Sequence, residues 1–113
     1  MTERRRYPRH KAKLEVKYYV ENAFEIRCKT NTFNISKVGI AMPLNQAVKR
    51  GKRVKLVMKI PADSREIVAL GKVVWKHPNG RSAMHEDDAG IKFLSMFEDS
   101  EDVLTEYLYD IAN

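Results

Sequence analysis

At 113 residues, 43% hydrophobic and 32% charged, the chain has room for one core and not two, and its composition is that of a globular protein rather than a disordered one. Cys28 is the only cysteine, which excludes an internal disulfide, and its place in an alternating pattern reads as a buried small hydrophobe rather than a nucleophile. The net charge of +6 divides sharply: residues 1–85 hold 20 Lys and Arg against 6 acids, and residues 86–113 hold 1 against 9. A basic body therefore carries an acidic end, and such a body concentrates anions of any kind near its surface.

In chain order, residues 1–11 form a basic arm. Tyr7 is its one aromatic among Arg4, Arg5, Arg6, Arg9 and Lys11, and there is no apolar periodicity to bury. Pro8 biases Tyr7 away from the α region, so Arg5 and Arg9 are expected on an extended or turned segment. Basic arms of this kind serve as solvated tails or loose phosphate binders. Nothing at Met1–Arg6 leads into the apolar stretch of a signal peptide, and no run approaches the ~20 apolar residues of a membrane span. The expected location is the cytoplasm.

Alternation then begins. Ala12, Leu14, Val16, Tyr18 and Val20 fall on one side of a strand and Lys13, Glu15, Lys17 and Tyr19 on the other. After a turn at Glu21-Asn22-Ala23, Phe24, Ile26, Cys28 and Thr30 alternate with charged residues in a second, antiparallel strand. Ile40-Ala41-Met42 makes a short third strand that Pro43 is expected to close, because proline cannot donate to a ladder. Leu44–Lys52 is a connection with room for one helical turn ended by Gly51. Val54, Leu56, Met58 and Ile60 point inward from a fourth strand. The fifth spans Glu66–Lys76, bends at Gly71 and is expected to end at Trp75, where His77-Pro78-Asn79-Gly80 turns the chain. Arg81–Asp88 reads as a polar excursion before the last strand, Ala89–Leu94.

Ser100 is placed to cap a helix whose first turn carries Glu101 and Asp102, where carboxylates favour the helix dipole. Val103, Leu104, Tyr107, Leu108 and Ile111 share its apolar stripe. The acids of this end are then mostly the solvated face of the helix. Strands punctuated by turns, without a βαβ rhythm, predict an all-β antiparallel barrel or sandwich with a C-terminal helix. The expected layout is a single domain over 1–113: arm 1–11, barrel 12–96, helix 100–112.

Catalytic chemistry is poorly served. His85-Glu86-Asp87-Asp88 is the one cluster able to hold metal or shuttle protons, its spacing matches no ligand pattern, and His10 and His77 lie elsewhere. No enzyme, no metal and no cofactor are expected. Asn34-Ile35-Ser36 matches a glycosylation acceptor, which has no consequence in a cytoplasmic chain.

Binding is better served by Asn34-Ile35-Ser36-Lys37-Val38-Gly39. Asn34 and Ser36 fall two apart, so on a continuing strand both face one side, and Gly39 permits a positive φ or close approach of a ligand. The same residues are the usual formers of an ordinary hairpin turn, and the hexapeptide alone does not separate the two readings. Arginine adds a planar fork that fits either the O6/N7 edge of guanine or a phosphate, each good bidentate guanine contact being worth about 1 to 3 kcal/mol of discrimination. With Asn34 accepting from a guanine amino group and Ser36 donating to a phosphate, such a site would favour a guanine nucleotide.

On these residues the chain resembles the PilZ domain family, bacterial receptors of cyclic di-GMP. Arg5 and Arg9 stand in that family's RxxxR pattern, and Asn34, Ser36 and Gly39 in its (D/N)xSxxG pattern; Gly71–Trp75 and Gly90–Phe93 resemble its late-barrel segments. The resemblance implies a six-stranded barrel with the ligand across its outer surface, Arg5 and Arg9 gripping guanine and phosphate, Asn34 and Ser36 holding the other guanine. Arg4, just before the first motif arginine, resembles members that bind two stacked ligand molecules, and so implies two per chain. Asparagine at 34, a neutral acceptor, is expected to weaken its guanine contact. The implied mechanism is an arm that ligand contacts pin against the barrel, with the output delivered by a separate, unidentified protein partner. Two other readings stand beside it: an adaptor of the same fold without nucleotide, and a small nucleic-acid-binding barrel using the arm with Tyr7, Tyr18, Tyr19 or Trp75 for stacking.

Overall fold

The computed structural model describes residues 7–22, 27–78 and 85–112. The strands are β1 His10–Lys11, β2 Glu15–Val20, β3 Arg27–Asn31, β4 Asn34–Ile35, β5 Gly39–Asn45, β6 Arg53–Lys59, β7 Glu66–Pro78 and β8 Glu86–Met96, followed by helix α1, Ser100–Ala112. They form one curled antiparallel sheet in the order β1-β4-β5-β8-β7-β6-β2-β3. The alternation of apolar residues drives it: Val16, Tyr18, Val54, Leu56, Met58, Ile67, Ala69 and Val73 all turn inward and are fully buried.

The fold class is as expected, all-β with a C-terminal helix, but the sheet has eight strands where six were expected. The reason lies in Thr32. Its Oγ1 accepts from Leu14 N at 2.9 Å and donates to Ala12 O at 2.6 Å, so a side chain enters the ladder between the first two long strands, where Thr32 N still donates to Leu14 O at 2.9 Å. Pairing shifts by one residue across this point, from His10↔Ile35 on one side to Glu15↔Asn31 on the other. Each long strand is thereby divided in two. Since β1 runs into β2 through residues 12–14, and β3 into β4 through Thr32 and Phe33, the two flanks of the curled sheet belong to one hairpin.

Several boundaries differ from the sequence reading. Pro43 does not close the third strand; it sits within β5 opposite Asp88. Ala41 O accepts from Phe33 N, and two residues on the backbone of Pro43 faces the same way, beyond the last rung with β4, so its missing N–H breaks no bond. No helical turn forms over Leu44–Lys52; Leu44 and Asn45 end β5 and turns follow, with Gly51 at φ 94°. Of the residues read as a polar excursion, Glu86, Asp87 and Asp88 open β8, while 81–84 lie outside the described residues, as do Phe24 and Ile26 of the second strand.

Strand β7 does not end at Trp75 either. The bend foreseen at Gly71 is there, as a shift of register between Leu70 and Gly71. A second shift falls between Val73 and Trp75: Val73 opposes Ile91, Trp75 opposes Gly90, and Val74 is left over. That one extra residue reverses the faces that follow. Trp75, which simple alternation with Val73 puts inward, joins Lys72 on the outer face, and Lys76 turns toward buried Ala89.

Helix α1 packs Val103 and Leu104 into the core, with Tyr107 and Leu108 half-buried behind them. Ile111, expected on the same stripe, is 37% exposed. Ser100 does not cap the helix with its side chain. The buried hydroxyl accepts from Val68 N at 2.9 Å and so ties the helix start to β7. Burial pushes the Tyr18 and Tyr107 phenols up from their ordinary values, and Tyr18 Oη accepts from Asn45 N at 2.9 Å.

Candidate functional site

Between β4 and β5 the chain reverses in a turn that closes on itself. Ser36 N donates to Gly39 O at 2.9 Å, and Val38 N donates to Ser36 Oγ at 3.2 Å. Ser36, 3% exposed as a residue, also donates from its hydroxyl to Gly39 O at 3.4 Å. Serine here shapes the turn, because its short side chain satisfies backbone groups that no strand reaches. Phe93 N donates to Val38 O at 2.8 Å and anchors the turn to β8.

Gly39 has no positive φ. What requires glycine is close approach: a Cβ there would collide with the backbone carbonyl of Ile91 on β8. Gly90, one residue before, is needed for a similar reason, since a Cβ would enter the indole of Trp75. The Trp75 indole covers this bare backbone, with His77 beside it at 5.1 Å between ring centroids.

The result is a groove of about 340 Å³ on the outer wall. Gly39 and Gly90 line its floor, Val38, Val74 and Trp75 give it apolar walls, and Tyr7 with Arg9 close it from the arm. Ser36, Ile40, Ile91 and Lys92 complete the lining. Lys37 Nζ sits 5.9 Å from the Tyr7 ring centroid, within cation–π range, holding the arm's aromatic beside the turn. The groove thus combines aromatic and aliphatic surface with two cations, and no described acid lines it. Such a surface suits a planar ring carrying negative charge.

Of the six residues predicted from sequence, Arg9, Ser36 and Gly39 come together at this groove. Asn34 lies just outside its lining, half-buried in β4 opposite Lys11 and Ala41. Arg4 and Arg5 fall outside the described residues. Sequence reasoning left Trp75, Val38, Val74 and Lys92 out of the site. The available signal was the pairing of a glycine-marked strand, Gly90, with an aromatic one, Trp75. Alternation hid it, because the bulge at Val74 is not written in any local pattern.

The cluster at His85–Asp88 has a structural task instead. Asp87 accepts from Gln46 Nε2 at 3.2 Å and pairs with Lys76 Nζ at 3.2 Å. Among the described residues no group of three or more His, Cys, Asp or Glu is placed to hold a metal ion.

A family model of the PilZ domain matches residues 3–110. The chain belongs to the PilZ domain family. Solved structures agree in fold. The inhibitor of motility MotI/DgrA of Bacillus subtilis is 23% identical at a TM-score of 0.74, over 94% of this chain and 50% of its own. The PilZ domain of YcgR from Escherichia coli, solved with c-di-GMP, is 14% identical at 0.72, over 97% of this chain and 92% of its own. The MrkH–c-di-GMP complex of K. pneumonia is 15% identical at 0.74, over 98% of this chain and 53% of its own. This PilZ chain therefore spans about half the length of MotI and of MrkH. No curated protein matches it in sequence. No helix among its described residues is long and apolar enough to cross a membrane.

Proposed function

We propose that this PilZ domain is a receptor for cyclic di-GMP, not an enzyme, and that the groove at the Ser36–Gly39 turn is where the ligand lies. The observation that carries the reading is the convergence of Arg9 with Ser36 and Gly39 on one groove, although arm and turn are far apart along the chain. Arg9 and Arg5 grip guanine and phosphate with their planar forks. Asn34 accepts from a guanine amino group, and Ser36, through the turn it braces, sets the position of the backbone beneath. Trp75 supplies a stacking face for a base, worth about 1 to 3 kcal/mol where such stacking has been measured on nucleic acids. Arg4 supports a stoichiometry of two ligands per chain.

Ligand contacts made at once by the arm and by the turn pin the arm to the barrel wall and create a new surface. That surface is read by a separate protein in the cytoplasm. Isothermal titration with cyclic di-GMP, with GTP and cyclic di-AMP as controls, tests the reading. Saturable heat with cyclic di-GMP alone, at two per chain, is the expected result; no heat with any of the three overturns it, and one per chain removes the role of Arg4.

A further inference from the structure

We propose that Lys92 of β8, backed by Lys72 of β7, is an anion anchor of this groove that lies outside both sequence motifs and binds the ligand's phosphodiester. The inference rests on the receptor reading above and adds a residue to its site. Lys92 is a lining residue of the groove and stands directly opposite Gly39. On its other flank it stands directly opposite Lys72, which in turn opposes Arg53 of β6. Three exposed cations thus sit side by side across three neighbouring strands.

Like charges directly opposite one another weaken a sheet. Among the other described rungs only Lys17 stands opposite a like charge, Lys29, and there Lys29 is paired with Glu15. Lys76 is bonded to Val48 O, Gln46 O and Asp87; Arg65 to Asp63 and Glu106; Lys29 to Glu15. Lys92, Lys72 and Arg53 have no ion-pair partner among the described residues. The nearest acid in register is Glu21, whose N–H donates to Arg53 O at 3.0 Å and whose side chain forms no ion pair with it.

Geometry directs this unspent charge into the groove. The bond from Phe93 N to Val38 O holds the backbone next to Lys92 against the turn. Gly39, directly opposite Lys92, lets the turn pack against the β8 backbone, and Gly90 seats the Trp75 indole, so lysine and indole line the same groove. Arg9 approaches the groove from the arm and Lys92 from the barrel wall, so a ligand with two phosphates meets a cation from each. Lysine is a compact charge without arginine's planar fork, which fits a phosphate and does not select a base.

The test is isothermal titration of cyclic di-GMP into the unsubstituted chain, Lys92→Gln, Lys92→Arg and Lys72→Gln, each at low and high salt. Lys92→Gln is expected to raise Kd about tenfold and flatten its salt dependence, as loss of one charge-assisted contact does. Lys92→Arg is expected to stay within about threefold of the unsubstituted chain, and Lys72→Gln to weaken binding by about threefold, since Lys72 acts through the local field. Circular dichroism checks that each variant keeps its strands. Binding by Lys92→Gln within about twofold of the unsubstituted chain, with the same salt dependence, overturns this inference alone. So does a loss that arginine does not restore. Absence of binding by the unsubstituted chain overturns the receptor reading and this inference with it.

Discussion

Lys76 and Lys92 are cations on adjacent strands of one sheet, and their surroundings could hardly differ more. Around Lys76 every charge is spent: its side chain is 14% exposed, its ammonium donates to Val48 O at 2.7 Å and Gln46 O at 3.2 Å, and Asp87 faces it at 3.2 Å. Around Lys92 the charge is unspent, with Lys72 beside it and Arg9 across the groove. The first arrangement holds the β5–β6 connection onto the sheet. The second holds nothing in the chain itself. A cation whose lone-pair partners are already in the fold stabilises the fold, whereas one set beside its like against an apolar hollow is stabilised only by something that arrives.

A single residue produces both. The bulge at Val74 turns Trp75 out over Gly90 and Lys76 in toward Ala89, so inserting one alanine between Gly90 and Ile91, which gives Val74 a partner and removes the bulge, should damage both regions together. Driving the indole into a filled core while exposing Lys76 should cost about 4 kcal/mol or more, measured by denaturant unfolding. Because Trp75 is the chain's only tryptophan, its fluorescence reports the reversal directly.

Arg9→Ala sharpens the contrast from the groove side. It should weaken cyclic di-GMP binding by about a hundredfold, the effect of a lost bidentate contact, while leaving the melting temperature unchanged, because Arg9 is exposed. An equal loss of stability would mean the arm serves the fold. Lys76→Met is the complementary change and the smallest in size. It strands the Val48 and Gln46 carbonyls and Asp87, and should destabilise by about 1 to 2 kcal/mol in urea unfolding, with ligand affinity within about twofold. A tenfold loss of affinity there would erase the distinction between the two regions.

Much of this was legible along the chain. The inward series of β2, β6 and β7 follows from alternation, and the helix from its capping region and stripe. The RxxxR and (D/N)xSxxG spacings pointed to Arg9, Ser36 and Gly39 before any geometry was known, and the structure puts these three at one groove. The errors have physical causes. Ser100 looked like a side-chain cap because its neighbours suit a helix start, yet its hydroxyl is claimed by Val68 N, which no local rule anticipates. A positive φ was one of the uses read for Gly39; it has none, and the close approach that requires glycine there is that of the β8 backbone.

Local order therefore determined which residues face inward, where most strands run and that a polar turn and a basic arm share a binding vocabulary, because these depend on side chains a few positions apart. Only the tertiary structure decided that Trp75 faces out, that Thr32 breaks two strands with its hydroxyl, and that Lys92 stands between Gly39 and Lys72. Alternation tells on which face a residue lies and is silent about its neighbour across the rung. That neighbour is set by pairing register between segments distant in the chain, and register turns on bulges and on single side chains that replace a backbone bond.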